Sequence, residues 1–284
     1  MPITVTTLME NRVAEGRSDL VAEHGLSFFV ETPDRRMLFD VGASGRFLEN
    51  GRRLGRFPVP VDGLFLSHGH YDHAGGIPAL LSAMNEPLDV YAGPDVFVPR
   101  GVHLDGSRKE IGPPEIGAAL ETGALRLHTL ESFGPLFSGF FAGGPIPRTT
   151  DFEPAASGFT RGTEGDVQAD DFPEERALAL ETGDGPVALI GCAHRGVVNT
   201  LRHLADAMGV RRFHAVLGGL HLMGASSDRI EKTVSAIREY GVERIGVGHC
   251  TGDPAIRAVR RAFPNGWLDI GVGATHVFSD GSGG

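Results

Sequence analysis

Short apolar runs bounded by glycine, proline and aspartate recur along this chain, interleaved with a few segments of helical periodicity. Residues 3–8 alternate β-branched and polar side chains and predict an edge strand. Residues 26–31 and 36–40 predict a hairpin around Thr32-Pro33-Asp34-Arg35, the second strand ending in Asp40-Val41-Gly42. A short helix over 47–55, a buried strand over 61–66, a helix over 77–84 with Pro78 in its first turn, and a strand over 88–92 follow. Regularity then weakens. Residues 94–114, holding His103 and Arg108, read as a loop that covers or shapes a site, and 124–130 and 136–141 read as strands. Residues 143–172 are the least regular part, an insertion of the kind that serves function or motion. Beyond it come a hairpin (176–181, 186–190), a helix (197–208), a strand (213–217) and an amphipathic helix (227–240) presenting Ile230, Val234 and Ile237 on one face. A strand (244–247), a helix (254–263) capped by Asp253, and strands over 267–270 and 274–278 complete the pattern, before a Gly/Ser tail over 279–284.

The strand over 61–66 empties into Ser67-His68-Gly69-His70-Tyr71-Asp72-His73, three histidines and one carboxylate within six residues. Imidazole nitrogen and carboxylate oxygen suit Zn²⁺, and also Fe or Mn. The absence of thiols in this loop argues against a Cys-rich structural zinc site. From an extended loop, His68 and His70 point one way and Asp72 and His73 another. The spacing therefore predicts two ions, one on His68 and His70, the other on Asp72 and His73.

Three later strands each end in glycine and then histidine: Gly191-Cys192-Ala193-His194, Gly219-Leu220-His221 and Gly248-His249-Cys250. Ligands in α/β folds gather at the carboxyl ends of strands, where glycine lets the chain turn. His194, His221 and His249 are accordingly predicted to complete the coordination or to stabilise developing charge. Cys192 reads either as a thiolate ligand or as a small buried residue, and Cys250 as packing behind His249. Asp40, at a strand end, reads either as a support for the site or as a turn residue. His24, His128, His203 and His214 stand in ordinary contexts and are assigned no role. Arg148 and Arg161 are candidates for a substrate carboxylate or phosphate. Phe140, Phe141 and Phe159 are candidates for packing a flat ring, against the plainer reading that they are core.

Composition narrows the function classes. The 284 residues are 41% hydrophobic and 22% charged, enough apolar mass for a large core. A formal net charge of -10 disfavours nucleic acid or an anionic membrane as partner and leaves a small-molecule substrate. The two cysteines make no disulfide framework, and neither a leader-like segment nor a membrane span is evident. These features predict a soluble cytoplasmic protein, with a homo-oligomer left open.

Asp40-Val41-Gly42, the HxHxDH run at His68, His70, Asp72 and His73 followed by Ala74-Gly75-Gly76, and the later His249 together resemble the metallo-β-lactamase superfamily. Gly-Cys-Ala-His-Arg-Gly, Gly-Gly-Leu-His-Leu and Gly-His-Cys-Thr-Gly are similar to its branch containing 7,8-dihydropterin-6-methyl-4-(β-D-ribofuranosyl)-aminobenzene-5′-phosphate synthase. The resemblance implies a four-layer αββα sandwich, one domain over residues 1–284 with its insertion at 143–172. It implies metal held by His68, His70, Asp72, His73, His194, His221 and His249, with Asp40 and Cys192 behind them. Asp72, His194 and His221 would act in catalysis. The chain departs from the family where a histidine is expected before Cys192. Asp170 and Asp171 stand there instead, and His194 is the candidate replacement. The implied activity is that of a hydrolase or related transferase using a metal-bound hydroxide on a pterin-like or phosphorylated small molecule. Zn²⁺ is the expected metal. An iron-dependent oxidoreductase on the same fold and a non-enzymatic sensor of metal or small ligand are the rival readings.

Overall fold

Strands that are apolar throughout must be covered on both faces, and four short strands among the described residues are buried from end to end: Gly63–Leu66, Leu178–Leu180, Val187–Ile190 and Ala215–Gly219. The computed structural model describes residues 2–163 and 165–280, so the tail beyond 280 lies outside the described residues. The chain begins β1 (Ile3–Met9), β2 (Ser27–Glu31), β3 (Arg36–Phe39), α1 (Arg46–Arg53), β4 (Gly63–Leu66), α2 (Tyr71–Ala74), α3 (Ile77–Ala83) and β5 (Leu88–Ala92). The middle holds β6 (Arg100–Leu104), β7 (Ser107–Glu110), α4 (Gly117–Glu121), β8 (Leu125–Thr129), β9 (Gly134–Phe137), β10 (Phe140–Ala142), β11 (Phe159–Arg161) and β12 (Gln168–Ala169). The last part runs β13 (Leu178–Leu180), β14 (Val187–Ile190), α5 (Val197–Met208), β15 (Ala215–Gly219), α6 (Ser227–Glu239), β16 (Arg244–Gly248), α7 (Asp253–Ala262) and β17 (Thr275–Phe278).

Two large sheets face each other. One has the order β17-β1-β2-β3-β4-β5-β8, the other β16-β15-β14-β13-β10-β9. Alternation along each strand decides which layer a side chain enters. Phe28, Val30, Phe39 and Phe65 meet Leu178, Leu189 and Leu217 between the sheets. Phe29, Leu38 and Leu64 turn the other way, to Phe47, Ile77 and Leu80 of α1 and α3. Ala188, Val216 and Val247 pack outward against Leu201, Ile237 and Val259 of α5, α6 and α7. The result is the expected αββα sandwich, and each fully buried Leu or Phe contributes about 1.5–3 kcal/mol to it.

The structure differs from the sequence pattern in several places. β1 is an interior strand, because β17 pairs antiparallel along its outer side. The segment over 136–141 is the end of one strand and the start of the next, reversed at Gly139 with φ +75°. Residues 94–114 are a hairpin in part, and residues 143–172 carry β11 and β12. These four strands form a third sheet, β12-β11-β6-β7. Residues 267–270 touch the second sheet through one bridge, Ile245 to Trp267, with no strand.

The insertion is firmly attached. The Glu153 carboxylate accepts the Val198 and Asn199 amides at 2.9 Å each, at the start of α5. Asn199 Oδ1 in turn accepts the Thr149 and Thr150 amides at 2.8 and 2.9 Å. Arg100, wholly buried, forms ion pairs with Asp170 at 3.1 Å and Glu174 at 2.8 Å.

β3 and β4 run parallel, as do β14, β15 and β16, in matched register. Their carboxyl ends open on one edge of the sandwich, and the histidine-bearing turns follow directly from them.

Candidate metal centre

The turns that leave these strands are strained. Asp40, Ala193, His221 and His249 hold φ of +55°, +59°, +46° and +51°. Non-glycine residues in this region cost about 1–3 kcal/mol each and persist where the surroundings hold them. Buried carboxylates supply part of that hold. Glu10 accepts the His249 amide at 2.6 Å, and Glu175 accepts the His194 and Arg195 amides at 2.7 Å each. Asp40 ties both ends of the first loop. Its Oδ1 accepts the Ser67 amide at 2.8 Å, and its Oδ2 lies 2.7 Å from Ser67 Oγ and 2.6 Å from His73 Nδ1. Glycine is required where these turns touch: a Cβ on Gly191 would stand 2.1 Å from Ser67 Oγ.

Backbone form separates the ligand types of the first loop. His70 is extended, with φ -78° and ψ 150°, and one helical turn, α2, follows it. His68 and His70 therefore share one side, with ring centroids 4.7 Å apart. The His194 ring lies 4.9 Å from the first and 4.7 Å from the second. Asp72 and His73 come off the helical turn on the other side and meet His249. Asp72 Oδ2 is 3.2 Å from His249 Nε2, which is 3.0 Å from His73 Nε2. Cys192 stands between the groups, its Sγ 3.2 Å from His73 Nε2. Among the described residues, three sets bring ligand atoms within 4.8 Å of one another: His68, Cys192 and His194; His73, Cys192 and His249; His24, Asp72 and His249.

These residues fit a metal by two observations. Bonds of 2.0–2.3 Å to one tetrahedral ion place neighbouring ligand atoms about 3.3–3.8 Å apart, close to the spacings around His73 and His249. His68 Nε2, His70 Nε2 and both ring nitrogens of His194 are buried without a hydrogen-bond partner. Such orphaned nitrogens are costly unless something else occupies them.

Electrostatics agree with neutral, lone-pair-bearing imidazoles at His68, His70, His194 and His249. Burial, reinforced by neighbouring histidines, drops His68 and His194 well below the usual range. Burial brings His70 down to about 3 and His249 to about 4, despite the Asp72 carboxylate. At His73 burial is outweighed by Asp40 and Asp72, which raise it to about 9. A carboxylate on the far nitrogen of a histidine is the arrangement that strengthens a metal ligand. Burial and Cys250 push the Cys192 thiol far up, so that only a nearby cation would make it a thiolate.

His221 stands apart from the three sets. Its ring lies 4.2 Å from that of His194, at the mouth of the cluster. Two aromatic rings from the insertion side close the same mouth. Phe172 stacks on His194 at 3.9 Å and 3°, and Phe159, carried by the third sheet, stacks on His70 at 5.6 Å. Phe140 and Phe141 belong instead to the sheet and helix cores. Arg161 pairs with Asp95 at 2.9 Å, and Arg148 remains at the mouth. Asp170 and Asp171 point away from the histidines: the first pairs with Arg100, the second with Arg148 and Arg195.

Some residues here carry no motif in the sequence. His24 was assigned no role, yet its Nε2 lies 3.2 Å from Asp72 Oδ2 and its ring stacks on His249 at 4.8 Å. A glycine follows it, and Gly25 approaches Asp72 so closely that a Cβ would stand 2.7 Å from the Asp72 carbonyl oxygen. Glu10, Glu175 and Phe172 lie outside any motif. Cys192 and Cys250 are both free and buried.

Residues 20–158 match the family model of the metallo-beta-lactamase superfamily. Over 268 residues the chain is 30% identical to 7,8-dihydropterin-6-methyl-4-(beta-D-ribofuranosyl)-aminobenzene-5′-phosphate synthase of Methanocaldococcus jannaschii, covering 88% of each. A crystal structure described as a metal-dependent hydrolase of the beta-lactamase superfamily is similar at TM-score 0.83 and 28% identity, over 98% of this chain and 100% of that one. A diphosphatase of the PhnP family shares the fold at TM-score 0.58 and 15% identity, over 98% of each chain. Likeness sustained along nearly the whole chain, with the strand-end histidines in place, makes this protein a member of the metallo-beta-lactamase superfamily.

Proposed function

We propose that the protein is a metal-dependent hydrolase or related transferase acting on a pterin-like or phosphorylated small molecule. The observation that carries this reading is the pair of facing ligand groups, one of which, His68, His70 and His194, holds buried ring nitrogens without a hydrogen-bond partner. His68, His70 and His194 would hold one ion, and Asp72, His73 and His249 another, with Cys192 between them. Bound zinc would supply Lewis-acid polarisation and a water nucleophile at neutral pH.

The chain's own residues set the rest. Asp72 turns one oxygen toward His24 and His249, which fixes its orientation. His221, lowered to about 4 chiefly by burial, is neutral at pH 7 and can donate one ring N–H to an oxygen of the substrate. Phe159, half-buried beside His70, offers an apolar surface on which a flat heterocycle can stack, while Phe172, wholly buried against His194, keeps water out from behind. The synthase likeness supports a pterin-like substrate. The acidic chain supports a small molecule rather than nucleic acid, and the two buried free cysteines fit a reducing cytoplasm.

Metal analysis of protein purified without added metal, paired with turnover of phosphodiester and pyrophosphate model substrates, tests the reading. About two zinc ions per chain and turnover abolished by His70→Ala are expected. Stoichiometric iron with a redox-active spectrum would move the protein to the oxidoreductase class. A His70→Ala protein that loses metal yet keeps its biological effect would make it a sensor.

A further inference from the structure

His24 reaches the histidine cluster from outside every motif, and the backbone that carries it is built into the site. The Leu26 amide donates to the Asp72 carbonyl at 3.1 Å, and the Gly25 amide donates to Asn11 Oδ1 at 3.3 Å. Asn11 in turn donates from Nδ2 to the His249 carbonyl at 3.2 Å. On the other side, the Glu23 carboxylate accepts the Ser44 amide at 3.1 Å and the Ser44 hydroxyl at 2.7 Å. The turn is thus fixed against Asp72 and His249, the two residues that the His24 ring faces.

The ring nitrogen of His24 joins an existing set. His24 Nε2 lies 3.2 Å from Asp72 Oδ2, and the same oxygen lies 3.2 Å from His249 Nε2 and 3.9 Å from His73 Nε2. The His73 and His249 nitrogens are themselves 3.0 Å apart. The ligand atoms of His24, Asp72 and His249 all fall within 4.8 Å of one another, so the His24 and His249 nitrogens lie on the same side of the Asp72 oxygen. A ring that only donated a hydrogen bond to the carboxylate could approach that oxygen from any open direction. This one approaches where two other imidazole nitrogens already converge, and its ring stacks on His249 at 4.8 Å. Such spacings suit atoms that share one ion.

We propose that His24 is a further ligand of the ion held by Asp72, His73 and His249. This rests on the metal-binding part of the proposed function, and not on its substrate or reaction. That ion then has four ligands of its own, three imidazoles and one carboxylate, before Cys192 is counted. The ion of His68, His70 and His194 has three. A closed set of four holds a metal in place, whereas a set of three leaves a position open for chemistry. His24 therefore divides the work between the two ions: the one it binds is the fixed one, and the open position falls to the other, beside Phe159 and Phe172.

Competition for zinc between the full chain and a chromophoric chelator tests the ligand without a turnover assay. The unaltered chain should show two binding steps. His24→Ala should weaken one of them at least about 100-fold, since even the residue behind a ligand is worth about 10–100-fold, and leave the other step unchanged. The His24 side chain is 48% exposed, so the variant should keep its fold, and circular dichroism checks that. His24→Gln still offers Asp72 a hydrogen-bond donor but no ring nitrogen, and it should behave as His24→Ala does. Zinc binding unchanged by His24→Ala would overturn the ligand. Affinity retained in His24→Gln would overturn it as well, leaving His24 to orient Asp72 by a hydrogen bond. Both steps weakened alike would also overturn it, because His24 would then shape the site as a whole. Turnover of model substrates by the same samples separates the two ideas. A chain that loses one zinc step with His24 yet turns nothing over keeps the ligand and loses the hydrolase. Turnover by the unaltered chain with zinc binding indifferent to His24 does the reverse.

Discussion

Asp40 Oδ2 lies 2.6 Å from His73 Nδ1, and the same carboxylate accepts the Ser67 amide that opens the histidine loop. One side chain therefore orients a candidate ligand and fixes the turn that carries two more. Asp40→Asn keeps the shape and removes the charge. Metal affinity should fall about 10–100-fold, the usual loss when the partner behind a ligating histidine is changed. Competition with a chromophoric chelator measures it, and affinity equal to the unaltered protein would show that Asp40 only shapes the turn.

Cys192 belongs to two of the three ligand sets, one containing His68 and His194 and the other His73 and His249. Cys192→Ala should lower the metal content from about two ions per chain toward one, with little change in fold. Elemental analysis beside circular dichroism checks this. Full occupancy in the variant would leave Cys192 as a small buried residue.

Arg100 is wholly buried between Asp170 and Glu174, and it also donates to the Val98 carbonyl at 2.8 Å. Removing one member of a buried charge group leaves its partners uncompensated, at about 3–5 kcal/mol. Arg100→Leu should destabilise the chain by that order in urea denaturation. Because Arg100 on β6 holds Asp170, just beyond the β11–β12 pair, proteolysis should find the 143–172 segment first. A loss under about 1 kcal/mol would mean the two carboxylates are accommodated without their cation.

His276, on β17 and far from the histidine cluster, is lowered from its ordinary value by burial, then by the Arg244 charge, against its hydrogen bond to the Asp269 carbonyl. A depressed histidine favours the folded state fully above its unfolded pKa, and that advantage is lost as pH falls below about 6.5 toward the folded value. Melting temperature should therefore decline between pH 7.5 and 5.5 more steeply in the unaltered protein than in His276→Gln. Parallel curves would remove His276 as a source of acid sensitivity.

The sequence reading reached the sandwich through the family resemblance that the HxHxDH run and the repeated glycine-then-histidine turns carry. It missed the interior place of β1, because the strand that covers it lies 269 residues later at the Thr6 and Thr275 pair. Nothing local distinguishes a strand paired on both sides from one paired on a single side. The third sheet escaped for a similar reason: β11 and β12 span three and two residues, too short for a period to show. His24 and Glu10 act through contacts with residues far along the chain, and a lone His or Glu carries no such address. Arg161 shows the reverse. Its type suited an anion, but only the fold shows that Asp95 already holds it.

Every one of the three ligand sets mixes residues from before β5 with residues from after β13. Neither portion can assemble a set by itself, however well it folds. Separately produced fragments cut between those strands would each lack a complete set, and only their reassociation would restore one. Metal uptake by mixed fragments would thus act as a gauge of whether the two sheets have docked in their native orientation.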